Sequence, residues 1–506
     1  MEVSIEVDEG PLYEVGSIRV DGISTLPEER VNEAVLLQTG DVASSIAIER
    51  TRQAIQDYYL SQGYYRTIVR EKLLADPLKP VVDIVYEVRE GRLSRVRDVD
   101  FSGNVRTHDK VIRREMSIAP GEIFNQVKVR TSTARLRNLN YFSYVNPIIT
   151  PTNREDEYDV VFQLEEQRTG SFIGGVGVSS IDDLIGFVEL SQANFDIFGW
   201  PHPTGAGQKV KVRFTLGTSR RDYEVSFIEP WFLDRRLRLS VDAFQHDRRF
   251  LSDDYDQRNT GASVGLSKSL ATYYTGSVKY ALENIEVRNV AEDASELIKI
   301  EEGDQIQSSL TFSLQRDTRN KVFVPTAGSR TRAQVKVAGG PLGGDSELYE
   351  LQLKNASFIP LWFDHVLSLR GVISVVEPYG DGDRVPIFDR LFQGGARTIR
   401  GFDFRDVGPR DEFGEPIGGQ SEFQYTVEYS IPITDQFRFA TFYDGGNVWV
   451  DGYDWDFGDL NSSYGIGLRI DIPGFPLQLD YSWPIEADEF NDRSGGRFSF
   501  LIGYFY

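Results

Sequence analysis

The arrangement of apolar and polar positions divides the chain into two parts at about residue 168. Before that point, apolar residues at helical spacing alternate with short segments in which every second residue is apolar. From Thr169 to Tyr506 the dominant pattern is strand-like alternation interrupted by turns. Alternation places successive side chains on opposite faces of a strand, whereas a spacing of three or four places them on one helix face. The pattern therefore predicts an α+β amino-terminal part and an all-β carboxy-terminal part.

The amino-terminal part consists of two copies of one unit. Three glycines of the first copy, Gly10, Gly22 and Gly40, recur at one constant offset as Gly91, Gly103 and Gly121. Each copy predicts the order β-α-α-β-β. The predicted elements are 15–20, 27–37, 46–62, 64–72 and 81–88 in the first copy, and 96–101, 110–116, 127–139, 144–150 and 159–164 in the second. We expect the units to cover residues 11–90 and 91–168.

Residues 1–10 match the segment that closes a copy of the unit. We therefore expect them to form the last strand of a truncated upstream unit. Met1 is not followed by a basic region and an apolar run, as in an export signal. We expect the native chain to carry such a signal and at least one further repeat.

The carboxy-terminal part predicts a barrel. Val210, Val212 and Phe214 alternate with Lys209 and Lys211, and similar alternation recurs at 236–243 and 423–431. Alternation by itself fits both a soluble sandwich and a membrane barrel. Membrane strands need only ~9–11 residues each, so residues 169–506 accommodate about 16 of them with their connections. We predict a 16-stranded antiparallel transmembrane β-barrel with an acidic extracellular loop at 283–305.

Composition narrows the function classes. The 506 residues include no cysteine and only four widely spaced histidines, so we expect neither disulfides nor a metal site. A net charge of −22 argues against nucleic-acid partners. The glycines at 174–177 lack the following helix that a phosphate-binding loop requires. We therefore expect no cofactor and no enzymatic activity.

A glycine-rich segment at 392–404 is the strongest candidate for a functional site. Gly394, Gly395 and Gly401 permit a tightly folded backbone from which Arg397 and Arg400 project. From these residues alone, an ordinary turn with two solvated arginines is an equally good interpretation.

Several segments resemble a known family. Ile399-Arg400-Gly401-Phe402 resembles the arginine-glycine-aromatic signature of loop 6 in the BamA/TamA superfamily of outer-membrane barrel proteins. The duplicated units resemble its polypeptide-transport-associated (POTRA) domains. Further segments resemble family motifs in the family's order: 227–235, 317–319 with 325–330, 442–446 and 465–469. The terminal alternation of aromatic and apolar residues from 498 to Tyr506 also resembles the ending of bacterial outer-membrane barrels.

The resemblance implies that loop 6, at about 380–420, folds into the barrel lumen. Its latch residues would be Ile399, Arg400, Gly401 and Phe402, with Glu428 and Asp444 as acidic partners on the inner wall. Glu428 lies between apolar Val427 and Tyr429, so parity also directs its side chain into the lumen. The alternative is that each charge lines the lumen independently.

The resemblance also implies a lateral seam between the first strand, near 172–178, and the last, 497–506. Glycines Gly174, Gly175 and Gly177 weaken the first strand, and Gly503 can kink the last, which ends at Tyr506. The alternative is that glycines occur there because large residues would crowd the lumen.

The function that the resemblance implies is assembly of outer-membrane β-barrels in a Gram-negative bacterium. POTRA domains in the periplasm would bind unfolded outer-membrane proteins by β-augmentation, unless they are rigid spacers. Insertion into outer-membrane lipid would occur at the seam, with accessory lipoproteins as further partners. A two-partner-secretion or TamA-like translocation pore is the main alternative, and a diffusion porin a weaker one. Glu229-Pro230-Trp231 favours the BamA branch.

Overall fold

The structure is a computed structural model that describes residues 12–179, 183–249, 252, 254–322, 324–472, 477–488, 490–491 and 495–502. It divides into two compact units, Met1–Thr169 with Asn194–Gly207, and Gly170–Ala193 with Gln208–Tyr506. The strand predicted at residues 1–10 lies outside the described residues.

The first unit contains two modules with the predicted order β-α-α-β-β. The first module comprises β1 (Glu14–Asp21), α1 (Glu28–Asn32), α2 (Ser45–Ser61), β2 (Ile68–Ala75) and β3 (Val81–Arg89). The second comprises β4 (Arg95–Ser102), α3 (Asp109–Arg113), α4 (Gln126–Asn138), β5 (Phe142–Pro151) and β6 (Glu157–Glu166). In each three-stranded sheet the last strand lies in the centre, parallel to the first strand and antiparallel to the second.

The repeated glycines of the two modules solve a steric problem. Gly22 and Gly103 have φ near +90°, and an added Cβ would lie within about 2 Å of the carbonyl oxygens of Val88 and Leu164, respectively. Only glycine fits both the backbone conformation and this approach.

The first helix of each module is shorter than predicted. We expected helices over 27–37 and 110–116, but α1 and α3 have five residues each. After α1 the backbone bonds become three-residue turns, such as Val35 N–H to the carbonyl of Asn32. The chain then extends so that Leu37 reaches the core, where it packs with Val31 and Ile55. Tertiary burial thus overrides the local helical pattern.

The two modules contact each other within the first unit. The ring of Tyr65 lies 4.5 Å from that of Phe124 and 4.9 Å from that of Tyr158. The side-chain amide of Asn125 donates to the carbonyl of Ser61 at 2.7 Å. Aromatic packing and hydrogen bonding therefore join the modules beyond their covalent link.

The second unit is a 16-stranded antiparallel sheet in which each strand pairs with its neighbours in sequence. Its strands are β7 (Gly170–Ser179), β8 (Asp183–Phe195), β9 (Gln208–Gly217), β10 (Arg220–Glu229), β11 (Arg238–Arg248), β12 (Asp256–Ala271), β13 (Tyr274–Arg288), β14 (Gly303–Asp317), β15 (Gly328–Ala338), β16 (Leu348–Pro360), β17 (Val366–Pro378), β18 (Ser421–Pro432), β19 (Phe437–Trp449), β20 (Asn461–Ile470), β21 (Leu477–Glu486) and β22 (Arg497–Ile502).

The faces of these strands have the polarity of a transmembrane barrel. On β18, apolar Val427 is 39% exposed, whereas its neighbours Thr426 and Glu428 are buried. On β10, Tyr223 and Val225 are exposed beside buried Asp222. Apolar side chains therefore point outward and polar ones inward, the reverse of a soluble fold and the arrangement that a lipid environment requires. Among the described residues, no helix has the length and hydropathy to cross a bilayer.

The predicted acidic loop at 283–305 is wrong in its bounds. β13 continues to Arg288 and β14 begins at Gly303, so only residues 289–302 connect them. The connection contains helix α5 (Glu296–Lys299). Ile285 and Val287 continue the strand pattern as buried residues, which explains why the ladder extends into the acidic segment.

Candidate functional site

Loop 6, residues 379–420, connects β17 to β18 and folds back against the inner wall of the barrel. A short 3-10 helix at Ile387–Asp389 packs with Tyr255, which precedes β12, and with Ile298 from the connection between β13 and β14. The Arg405 guanidinium lies 3.2 Å from the centre of the Phe392 ring and donates to the Tyr255 hydroxyl at 3.1 Å. The loop is therefore held at several points.

The glycines of loop 6 produce the turn that the sequence suggested. Gly394, Gly395 and Gly401 all have φ between +95° and +109°, a region that favours glycine. The N–H of Gly395 donates to the carbonyl of Ile399 at 3.2 Å, which closes the turn. As a result the arginines diverge: Arg397 is exposed, whereas Arg400 is 3% exposed.

Arg400 binds the two predicted partners. Its Nε and Nη2 donate to the two carboxylate oxygens of Asp444 at 2.6 and 2.8 Å, and its Nη1 lies 3.3 Å from Glu428. The backbone N–H of Arg400 also donates to Asp444 at 3.2 Å. The guanidinium carbon lies 3.3 Å from the centre of the Phe442 ring. This bidentate, buried geometry is the strongest form of an arginine–carboxylate pair.

Three further residues complete a charge network that the sequence analysis did not identify. Arg400 Nη1 donates to Asp480 at 3.1 Å. Arg469 bridges Asp480 at 2.6 Å and Glu428 at 2.7 Å, and Arg370 donates to Glu428 at 3.0 Å. Three arginines thus face three carboxylates from strands β17 to β21, so the buried charges are balanced.

A sequence signal for the missed residues exists. Asp480 lies between apolar Leu479 and Tyr481, and Arg469 lies between Leu468 and Ile470. The parity argument that we applied to Glu428 would have directed both side chains into the lumen. What parity does not provide is the register that brings β18, β20 and β21 to one height.

The network also explains two glycines on β20. An added Cβ at Gly467 would lie 1.9 Å from Asp480 Oδ1, and one at Gly465 would lie 2.3 Å from the Phe442 ring. Glycine at these two positions of β20 therefore leaves the space in which the charged side chains and the Phe442 ring fit beneath the Arg400 guanidinium.

Three of the five predicted seam residues lie on the first strand of the barrel. Gly174, Gly175 and Gly177 belong to β7, and Gly503 and Tyr506 lie outside the described residues. Cα atoms of β7 and β22 approach within 8 Å, but among the described residues no ladder joins these strands. On β7 the consecutive residues Phe172 and Ile173 are both exposed. One edge of β7 thus pairs with β8, whereas no ladder among the described residues joins its other edge to β22.

Loop 6 also contacts the last strand. Arg497 of β22 forms an ion pair with Asp403, three residues after Arg400. The pair is partly exposed, so its own energetic contribution is small. It nevertheless joins the segment that carries Arg400 to the last described strand of the barrel.

One histidine approaches two carboxylates near the rim of the barrel. Nδ1 of His246 lies 3.2 Å from Asp222 and 3.9 Å from Glu224. Asp222 already accepts from Arg248 at 2.5 Å and pairs with Arg220. Two guanidinium groups therefore occupy the oxygens that a cation would need.

Comparison with known proteins identifies relatives of both parts. The family profile of the Omp85 superfamily domain matches residues 204–506. The POTRA profile, described as a surface antigen variable number repeat, matches residues 13–91 and 94–167.

The chain is similar along its whole length to the outer membrane protein assembly factor BamA of Nitratidesulfovibrio vulgaris, with 30% identity. The match covers 100% of this chain and 63% of that relative, so the chain spans less than two thirds of its length.

Solved structures give the same architecture. BamA from Haemophilus ducreyi lacking POTRA domains 1–3 aligns with a TM-score of 0.78 at 23% identity, covering 96% of this chain and 99% of that one. CdiB from Acinetobacter baumannii aligns with a TM-score of 0.52 at 16% identity, covering 98% and 90%, respectively.

Proposed function

This chain belongs to the Omp85 superfamily, and from that premise we propose that it is an outer-membrane β-barrel assembly factor of the BamA type. It would bind unfolded barrel proteins from the periplasm, fold them and insert them into the outer membrane. The observation that carries the proposal is the edge between β7 and β22, which lie side by side without a described ladder. Similarity to an assembly factor along the whole chain supports it.

The proposed reaction is strand templating at the seam. An unpaired strand edge exposes N–H and C=O groups that an extended client segment can satisfy. In lipid an unsatisfied backbone group costs several kcal/mol, so a client gains most by pairing before it enters the bilayer. Burial of the client's apolar strand faces in lipid then drives insertion. No nucleotide or other cofactor is needed.

Loop 6 would act as a latch that keeps the barrel wall ordered while the seam opens. Arg400 joins β19, β21 and β18 through Asp444, Asp480 and Glu428, on the carboxy-terminal side of the seam. The ion pair between Arg497 and Asp403 connects the same loop to β22. Opening at β7 and β22 then leaves the wall behind β22 intact.

The modules would deliver clients by β-augmentation, and the edge strand β2 is the best candidate for this. It lies at an edge of its sheet, contains no proline, and seven of its eight residues are exposed. Leu73 and Leu74 within the strand are exposed, as is Leu78 in the turn that follows it. In the second module the corresponding edge β5 contains Pro147 and Pro151, which remove N–H donors.

These roles place the barrel in the outer membrane of a Gram-negative bacterium and the POTRA modules in the periplasm. The proposed partners are unfolded outer-membrane proteins, outer-membrane lipid and accessory lipoproteins of a barrel-assembly complex. Nucleic acid is not among them, consistent with the net charge of −22.

The proposal is tested by reconstitution. The purified chain is placed in liposomes, a urea-unfolded outer-membrane barrel is added, and heat-modifiable folding is followed against empty liposomes. We expect faster folding, with a smaller effect from a variant that lacks residues 12–167. Equal rates with and without the protein would contradict an assembly function. Appearance of an unfolded filamentous client inside the vesicles, without faster barrel folding, would favour a secretion pore.

A further inference from the structure

A second site lies in the barrel lumen beneath loop 6. A cavity of about 650 Å³ lies between the inner wall formed by β15, β16 and β17 and the loop-6 residues Phe392 and Arg397. It extends to Gln478 on β21 and Leu501 on β22, so it reaches the strand that borders the seam. This volume is within the range of ordinary ligand sites.

The cavity is strongly basic. Besides Arg370 and Arg400, which belong to the charge network, its lining includes four cations: Arg330, Arg332, Lys354 and Arg397. Among its described lining residues, Glu422 is the one carboxylate, and it accepts from Ser374 at 2.6 Å and from Gln393 at 3.4 Å. The site therefore holds an excess of positive charge in a partly enclosed volume.

Two of these cations are placed at an energetic cost. Arg332 on β15 lies directly opposite Lys354 on β16 in the ladder. Like charges at opposed positions destabilise a sheet. Within the described part of the chain, neither residue forms a hydrogen bond or an ion pair, although Glu350 and Glu422 attract Lys354 electrostatically. An anion bound between Arg332 and Lys354 would offset the repulsion between them.

Arg330 contacts the neighbouring mid-barrel segment. Asp317 lies opposite Arg330 in the ladder, but its carboxylate accepts from Arg319 at 2.9 and 3.0 Å. Arg330 instead donates to the amide oxygen of Gln315 at 3.1 Å. Gln315 is a neutral partner, so this hydrogen bond does not cancel the charge of Arg330.

We propose that this cavity binds the carboxylates of an extended polypeptide segment while that segment lies beside β22. The inference rests on the proposed function, because it assigns the ligand to a client chain. Arginine side chains bind carboxylates with paired, directional bonds, which suits a chain that must be held in register. Lipid phosphates are disfavoured as ligands because the cavity lies inside the barrel wall, away from the lipid face.

The test measures binding separately from insertion. The full chain in detergent micelles is titrated with a fluorescently labelled aspartate-rich peptide and with the same peptide carrying asparagine, and anisotropy is recorded. We expect the acidic peptide to bind in a salt-sensitive manner and the neutral one not to bind. Arg332→Gln with Lys354→Gln should weaken binding about tenfold or more.

A matched control comes from the other side of the lumen. Lys209→Gln with Lys211→Gln removes two cations from β9 and should leave peptide binding unchanged. Heat-modifiability confirms that each variant is folded, and Arg332→Gln with Lys354→Gln should be at least as stable as the native chain because it removes a repulsion.

Besides absent peptide binding, three results would overturn the inference: equal affinity for both peptides, equal loss in both double variants, or displacement of the peptide by inorganic phosphate at a matching concentration. The last result would indicate a small-anion site. If the peptide does not bind but the protein still accelerates barrel insertion, this site alone is rejected. If the peptide binds but the protein does not accelerate barrel insertion, the proposed function is rejected.

Discussion

At the scale of single residues, Arg400 is the side chain whose removal should lower the stability of the barrel most. Its guanidinium is buried and bonded to carboxylates from three strands, so removing it leaves Asp444 without its bidentate partner. Breaking one side of a buried ion pair costs about 3–5 kcal/mol. We predict that Arg400→Ala lowers the free energy of unfolding of the barrel by roughly this amount, measured by urea titration with heat-modifiability as the readout.

Arg397 provides the control for this prediction. It belongs to the same turn but is exposed, so Arg397→Ala should change stability by less than about 0.5 kcal/mol. If both variants were equally stable, Arg400 would not be a latch.

A second prediction at the scale of single residues concerns Glu90, at the end of the first module. Its carboxylate accepts from the backbone N–H groups of Ser24 and Thr25 at 2.9 and 3.0 Å and from the Tyr59 hydroxyl at 2.8 Å. Partial burial raises the pKa of this carboxyl group, but the hydrogen bonds from Ser24, Thr25 and Tyr59 outweigh that effect and lower the pKa to about 2. Glu166 accepts from Arg106 and Thr107 in the second module in the same way.

Because the folded pKa lies below the ordinary value of about 4.3, Glu90 stabilises the folded module above that pH. The contribution is lost as pH falls from about 5 towards 2. Glu90→Gln should cost about 1–2 kcal/mol at pH 7 and flatten the decline between pH 5 and 2. Urea unfolding of residues 12–168, followed by circular dichroism, measures both. Glu87→Gln, at an exposed position on β3, should leave the decline unchanged; an equally steep decline in Glu90→Gln would contradict the assignment.

At the scale of elements, the two module edges differ in what they offer a client. Edge β2 exposes Leu73 and Leu74 and keeps all its N–H groups, whereas edge β5 has two prolines. We predict that Leu73→Glu with Leu74→Glu reduces photo-crosslinking of an unfolded client to the modules several-fold, because charges on an edge oppose strand addition.

The matched change on the other edge is Ile148→Glu, which is also an exposed position. It should leave crosslinking nearly unchanged. Equal crosslinking in both variants would favour modules that act as rigid spacers.

Some elements and contacts of this structure were predictable from the sequence, and others were not. The strands of the barrel were predictable because alternation has one period and a one-residue slip would reverse every side chain. The first helices of the modules were overestimated because burial of Leu37 decides where α1 ends. Glu428 could be placed by parity, but Asp480 and Arg469 join the charge network around Arg400 only through the register of β20 and β21. Register depends on packing across many strands, which a local pattern does not contain.

At the scale of the whole molecule, the barrel has a buried charge network at β17 to β21 and, in our proposal, an edge between β22 and β7 that opens. The buried network fixes β17 to β21, while β22 and β7 lack a described ladder. The basic cavity lies between these regions and reaches β22 at Leu501. An extended chain held there would lie next to the edge that it has to extend.

A reversible covalent lock between β7 and β22 tests whether clients are inserted at this edge. Gly175→Cys on β7 is combined in turn with a cysteine at each position from Ser499 to Ile502, and the pair that crosslinks is reconstituted in liposomes. We predict that the oxidised protein no longer accelerates the folding of an unfolded barrel and that reduction restores the acceleration. A disulfide between positions 212 and 225, which are paired on β9 and β10, should have no effect. Full acceleration by the oxidised seam would contradict insertion between β7 and β22.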